Sequence, residues 1–340
     1  MMTNYRETVC EASASREVAL DVCELSVDIR TPYGTVRAVD HVSFSARRGE
    51  TVALLGESGC GKSLTAQAVV GLLAPTADIA TGSVHLDDLD LVKASAAKRR
   101  KIAGRELSIV FQDAQTTLNP VYTVGYQLAE PFRIHRKLSK KAARVEALEL
   151  MRRVGIPEPE TRIDSYPHQF SGGMRQRLLI AIAVALSPAV LLADEPTTAL
   201  DVTVQAQIMQ LLKDLRSEHD MALVFITHDL ALVSEEADRV VVMYAGRVVE
   251  EGPVGEVFGS PKHPYTRGLL DSVPAGAKRG DELSSIGGKP PELHAIPAAC
   301  VYQDRCPLVQ DICRAEAPSD REVAVDHRAA CHFSEKVGLL

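Results

Sequence analysis

The sequence has no apolar run long enough to cross a bilayer, which takes about 20 residues of helix. Its longest, LLIAIAVAL at Leu178–Leu186, stops at Ser187-Pro188 and reads as a buried helix. The amino terminus MMTNYRETVCEASASRE lacks the apolar stretch of a signal peptide. These two absences predict a cytosolic chain, or one docked on a membrane from that side. An excess of positive charge is also missing: 38 Lys and Arg against 45 Asp and Glu leave a net charge of -7. That argues against nonspecific nucleic-acid binding, because a phosphate-tracking surface needs clustered cations. No internal repeat or low-complexity tract is visible. Cysteine is sparse until the end of the chain, where Cys300, Cys306, Cys313 and Cys331 cluster. In a reducing cytosol such a cluster is unsuited to a disulfide framework.

What is present is ordinary globular composition, 46% hydrophobic and 24% charged over 340 residues, which suits two domains better than one core. Alternation predicts strands at 21–29 and 38–46. ETVALLGESGCGKSLTAQAVVGLLAP then runs from an apolar strand through a glycine-rich loop into a helix closed by Pro75. A helix is predicted over 138–154, with Ser139 as N-cap and Leu138, Ala142, Val145, Leu148 and Met151 on one face. A further helix follows FSGG at 170–173. Next come a strand (189–194), a helix (202–219), a strand (221–227) and a hairpin over 238–252 that turns at Ala245-Gly246. Strands alternating with helices imply an α/β fold with a mostly parallel sheet covered on both faces. Beyond residue 252 Pro and Gly recur and periodicity fades, so a boundary is placed near residue 258.

GESGCGKS, residues Gly56, Glu57, Ser58, Gly59, Cys60, Gly61, Lys62 and Ser63, fits the phosphate-loop pattern G-x-x-x-x-G-K-[ST]. Its glycines let backbone N–H groups curl around phosphates while the next helix points its positive end at them. Lys62 would reach the β- and γ-phosphates and Ser63 would ligate Mg²⁺. The bland alternative, a glycine-rich turn, does not explain the strand before and the helix after. Cys60 reads as a small filler rather than a nucleophile. In VLLADEP an apolar strand ends in Asp194, able to hold the Mg²⁺ shell, and Glu195 is placed to activate water. Alone this is weak; with the loop it indicates nucleotide hydrolysis.

FSGGMRQR opens a helix with Ser171, Gly172 and Gly173, a second anion-binding N-terminus. One nucleotide does not need two such ends from one chain, whereas a head-to-tail dimer uses both. Gln112, after an apolar strand, is able to sense Mg²⁺ and water, and His228 to contact the γ-phosphate. A lone Gln or His of this kind is usually structural; its place in the series favours function.

The series resembles the ATP-binding subunits of ABC transporters: the loop at 56–63, Gln112, SGGM at 171–174, DE at 194–195, TALD at 198–201 and His228. The resemblance implies that Tyr33, in TPYG, stacks on adenine, the alternative being an ordinary exposed loop tyrosine. Met174 stands where many members have Gln, and Leu64 replaces the usual Thr; backbone donors remain at both. FQDAQTTLNPVYTVG, YPHQFSGGMRQR and ADEPTTALDVTVQAQIMQLL resemble the oligopeptide/dipeptide/nickel importer branch, and within it the D-type of two paired ATPases. HPYTRGLLDSVP (263–274) and GKPPELHAIPAAC (288–300) are similar to that branch's C-terminal extension.

The implied architecture is a flexible N-terminus (1–17), an ABC-type P-loop ATPase domain (18–258) and a small cysteine-rich extension (259–340). The ATPase domain would combine a mostly parallel core, an antiparallel β subdomain and a helical subdomain at about 113–188. The implied partners are two membrane permease subunits, a second, paralogous ATPase subunit and an extracytoplasmic substrate-binding protein, with the chain peripheral on the cytoplasmic face. ATP and Mg²⁺ are the implied ligands. From chemistry alone, the four thiols suit iron–sulfur or zinc, and the spacings of five and six residues between the first three are longer than the usual zinc pairs. The resemblance implies a [4Fe-4S] cluster on Cys300, Cys306, Cys313 and Cys331; unligated buried cysteines are the alternative. The rival class is a soluble ABC ATPase acting on DNA or ribosomes. Such chains insert a long coiled coil or fuse two cassettes, whereas here 108 residues separate Lys62 from Ser171 and there is one loop motif.

Overall fold

A computed structural model describes residues 17–198, 200–272 and 286–340. The expected flexible N-terminus therefore lies, except for Glu17, outside the described residues. The strands are β1 (Val18–Thr31), β2 (Gly34–Arg47), β3 (Thr51–Leu55), β4 (Ala77–Leu86), β5 (Leu89–Asp90) and β6 (Leu107–Val110). They continue as β7 (Val190–Asp194), β8 (Ala222–Thr227), β9 (Arg239–Tyr244), β10 (Arg247–Pro253), β11 (Arg321–Ala324) and β12 (His327–Ala329). The described residues divide into two compact units, one drawn from 17–21, 45–50 and 85–225, the other from 22–44, 51–84 and 226–340.

In the first unit β6 and β7 run parallel, with Leu107 opposite Val190 through to Val110 opposite Ala193. Every residue of β7 is buried, as a strand covered on both faces must be. Helices fill the stretch between them. Ser139 caps the helix Lys140–Arg153 by accepting a hydrogen bond from the Ala142 N–H, as its sequence predicts. The buried face of this helix differs from the predicted one. Ala143, Ala147, Leu150 and Met151 are buried, whereas Val145 is 60% exposed. Two alanines at i and i+4 let the helix approach its neighbours closely, and Leu150 and Met151 complete the same inner face. The helix Gly172–Val184 buries Leu178, Leu179, Ile180, Ala181, Ala183 and Val184, confirming the apolar run as core.

In the second unit β3 and β9 are parallel, Val52 opposite Arg239 and Leu55 opposite Val242. From β9 onward pairing is antiparallel: β9 with β10, β10 with β12 and β12 with β11. The sheet is thus mixed, where strand–helix alternation suggested a mostly parallel one. The predicted hairpin is present, and Ala245 and Gly246 both take positive φ (46° and 81°) as a type I′ turn requires. Gly246 is obligatory for a second reason, since a Cβ there would lie 2.6 Å from the Ala38 carbonyl oxygen.

Lys262, His263 and β12 are tied to this sheet through β10. Glu250 faces Ala329 and Glu251 faces Arg328 across β10 and β12. Behind them the Glu250 carboxylate accepts hydrogen bonds from the N–H groups of Lys262 (2.6 Å) and His263 (2.9 Å). It also bonds His327 Nε2 at 2.7 Å. Among the described residues, no helix is long and apolar enough to cross a membrane.

Candidate functional site

β3 is buried along its whole length and delivers the chain into the loop Gly56–Ser63. The helix Lys62–Val70 follows at once, so its unpaired first N–H groups face the loop. Only glycine fits at 56: a Cβ there would meet the Met243 carbonyl oxygen at 2.3 Å and Cys60 Sγ at 2.8 Å. Lys62 is buried and its Nζ donates to the carbonyl oxygens of Gly56 (2.7 Å) and Glu57 (2.9 Å). Two bonds brace the loop from behind. The Glu57 N–H donates to the Tyr265 hydroxyl at 2.9 Å, and the Gly246 N–H to the Cys60 carbonyl at 3.0 Å. Ser58 and Gly59 are exposed at the rim, while Ser63 and Leu64 are half-buried in the first helical turn. Burial raises the Cys60 thiol above its ordinary range, against the lowering influence of Lys62. Tyr33, at the turn between β1 and β2, is 99% exposed, and His228 is exposed just after β8.

The other sequence-selected residues lie in the first unit. β7 ends in Asp194, which is buried. Glu195 takes φ 43°, a left-handed conformation that costs a non-glycine residue energy and persists where surroundings enforce it. Its Oε2 accepts hydrogen bonds from Gln112 Nε2 at 2.8 Å and Thr198 Oγ1 at 2.6 Å. Because β6 and β7 are parallel and in register, their carboxyl ends emerge side by side, which brings Gln112 to Glu195. Ser171 caps the helix Gly172–Val184, its Oγ accepting from the Met174 N–H at 3.3 Å. Gly172 and Gly173 occupy the first turn, and Arg162 Nη1 reaches Met174 Sδ at 3.9 Å. Asp201 caps the helix Val202–His219 through the Val204 N–H.

Two contacts escaped the sequence reading. Thr198, the first residue of TALD, holds the Glu195 carboxylate three residues before it. Arg305 pairs with Glu57, Nη1 to Oε2 at 2.6 Å and Nη2 to Oε1 at 3.0 Å. No local pattern marks it.

Cys300, Cys313 and Cys331 are buried and Cys306 is half-buried. The Cys300 N–H donates to the Cys313 carbonyl at 3.1 Å. The Gln303 N–H donates to the Cys300 carbonyl at 3.2 Å, and the Phe333 N–H reaches Cys331 Sγ at 3.4 Å. Burial pushes the Cys306 thiol up to about 11 and Cys331 up to about 12, and each also feels the charges of the other cysteines. The expected ligand set is not assembled: among the described residues no group of three or more His, Cys, Asp or Glu side chains could hold a metal ion.

Residues 39–198 match the ABC transporter family, and residues 249–313 match the oligopeptide/dipeptide transporter C-terminal region. The dipeptide transport ATP-binding protein DppD of Bacillus subtilis (strain 168) is 47% identical over 321 residues, covering 94% of this chain and 96% of that protein. This chain belongs to the ABC transporter ATP-binding proteins. DppD of Escherichia coli (strain K12) is 45% identical over 314 residues, 92% of this chain and 96% of that one. Among solved structures, the ATP-binding cassette MJ0796 in a dimeric post-hydrolysis state with ADP and Pi superposes with a TM-score of 0.63 at 28% identity. It covers 69% of this chain and 98% of its own. Clostridium perfringens cbiO1, part of the ABC transporter complex cbiONQ, gives a TM-score of 0.60 at 30% identity, covering 72% of this chain and 91% of that one. The mixed sheets and helices described above are therefore an ABC ATPase cassette fold, and the chain is an ABC-type ATPase.

Proposed function

We propose that this ATPase energises the import of short peptides through a membrane ABC transporter. The peptide assignment draws on the names of the DppD relatives and on the match at 249–313. In the proposed cycle, backbone N–H groups of Gly56–Leu64 and the Lys62 ammonium hold the phosphates, and Tyr33 stacks on adenine. Ser63, Gln112 and Asp194 serve Mg²⁺, Glu195 acts as general base, and His228 contacts the γ-phosphate. The observation that carries the reading is the Glu195 carboxylate, held by Gln112 and Thr198 directly after a buried aspartate. Glu195→Gln keeps the shape and removes the base. It should lower ATP hydrolysis by about 10²–10⁴-fold in the assembled transporter while ATP still binds; wild-type turnover would remove Glu195 from this role.

The Ser171, Gly172, Gly173 and Met174 segment would serve the nucleotide of a partner subunit in a head-to-tail pair, as two anion-binding helix ends in one chain suggest. That partner is proposed to be a paralogous ABC ATPase. Two permease subunits and an extracytoplasmic binding protein complete the assembly, with this chain peripheral on the cytoplasmic membrane face. Residues 18–258 would form the cassette, with 113–188 as its helical subdomain, and 259–340 the extension.

We further infer a [4Fe-4S] cluster on Cys300, Cys306, Cys313 and Cys331. The burial of Cys300, Cys313 and Cys331 and the Phe333 N–H on Cys331 Sγ suit thiolates bound to iron. When bound, the cluster would supply folding energy to a proline- and glycine-rich segment. Protein purified without oxygen should be brown, with about four irons per chain, and Cys306→Ser should lose the colour. Colourless protein with one zinc per chain would rule the cluster out.

A further inference from the structure

We propose that Arg305, far along the chain from the phosphate loop, is a positioning residue of the nucleotide site. It fixes Glu57 in place and cancels its charge beside the bound phosphates. The proposal rests on the reading that Gly56–Ser63 holds nucleotide phosphates. Glu57 is the second residue of that loop, and a carboxylate there is an unexpected companion for a triphosphate. Left free, it would repel the ligand that its neighbours attract.

The structure gives this carboxylate a fixed counter-charge. The Arg305 side chain is only 3% exposed, against 29% for Glu57, and the two residues are 248 positions apart. Both guanidinium η-nitrogens meet the carboxylate, one to each oxygen, in the fork geometry that lysine cannot copy. The other donors are engaged as well: Nε bonds the Gly287 carbonyl at 2.9 Å, Nη2 the Ile286 carbonyl at 3.4 Å and Nη1 the Tyr244 hydroxyl at 3.4 Å. The guanidinium carbon lies 5.7 Å from the Tyr244 ring centre and 6.0 Å from that of Tyr302. A group tied at so many points cannot follow a moving loop; the loop must hold still against it.

Tyr265 adds a second tie. Its ring is wholly buried, and its hydroxyl accepts the Glu57 N–H. Glu57 is therefore gripped by side chain and backbone from residues 265 and 305, while its own carbonyl accepts from Lys62. The brace and the lysine converge on one residue of the phosphate loop. Arg305 also directly precedes Cys306, so the segment presenting that thiol is the one that braces the loop.

The test is titration of the full-length chain with a fluorescent ATP analogue. Arg305→Ala should weaken binding by about tenfold, within the usual range of couplings between sites. Arg305→Lys should fall between, keeping the charge but not the fork. Adding Glu57→Gln to Arg305→Ala should restore most of the affinity, because the uncompensated carboxylate is then gone. A purely structural brace would not be rescued by that second change, so a double variant as weak as the single would overturn the charge argument. Tyr265→Phe removes only the hydroxyl and should weaken binding about threefold; unchanged affinity there would overturn the backbone tie even if Arg305→Ala failed to fold. Lys62→Ala separates the two readings. If it abolishes binding while Arg305→Ala leaves binding at wild-type strength, the positioning role falls and the phosphate loop stands. If Lys62→Ala binds normally, the phosphate-loop reading itself fails.

Discussion

Replacing Glu250 with alanine should release the C-terminal extension from the sheet it is built on. The Glu250 side chain is wholly out of solvent, as is its partner His327. It accepts from the N–H groups of Lys262 and His263 at 2.6 and 2.9 Å and bonds His327 at 2.7 Å. Alanine leaves three polar groups without a partner, each costing roughly 1–3 kcal/mol where water cannot replace the carboxylate. Lys262 is half-buried, so its N–H can recover some solvation. The loss should then be about 4 kcal/mol, in line with breaking a buried polar pair. For a chain of this size that is a fall in Tm of about 6 °C. Glu250→Gln keeps one acceptor and should lose about half as much. Thermal unfolding measures the first effect. Limited proteolysis measures the second, since cleavage should move to sites within residues 259–340. If Glu250→Ala melts within about 2 °C of wild type and its extension stays protease-resistant, the network does not hold the extension and the reasoning is wrong.

Gly56→Ala should abolish nucleotide binding, because the new Cβ meets a backbone carbonyl at 2.3 Å and neither chain segment can yield; normal ATP affinity would show that the loop adapts. Burial raises the Glu251 carboxyl from 4.5 to about 7, against the lowering effect of Arg239 and Arg328. Between those values the folded chain holds a proton that the unfolded chain has released, so stability should fall as pH rises through that window. Glu251→Gln should flatten that slope in urea unfolding, and an unchanged slope would refute the assignment. If Lys62 and Ser171 serve one nucleotide only across two subunits, specific ATPase activity of the isolated chain should rise with protein concentration. A constant specific activity from a demonstrated monomer would contradict the shared site.

The sequence by itself determined the type of many elements and singled out the candidate site residues, because both are written in short stretches. A glycine pattern between an apolar strand and a helix is legible in one span of eight residues, and the strand and helix stand where it puts them. Ser139, Ser171 and Asp201 announce helix starts because a cap bonds only its own first turn. The turn at Ala245-Gly246 was legible for the same local reason. Tertiary structure decided what lies far apart in sequence and close in space. It brought Gln112 to Glu195 through two parallel strands in register, and it chose the alanine face of the helix Lys140–Arg153. It also buried Arg305 against Glu57, 248 residues away. An arginine with its fork filled by carboxylate and carbonyls reads in sequence like any arginine on the surface. Its burial follows from the neighbours that surround it, and those are set only when the chain has folded.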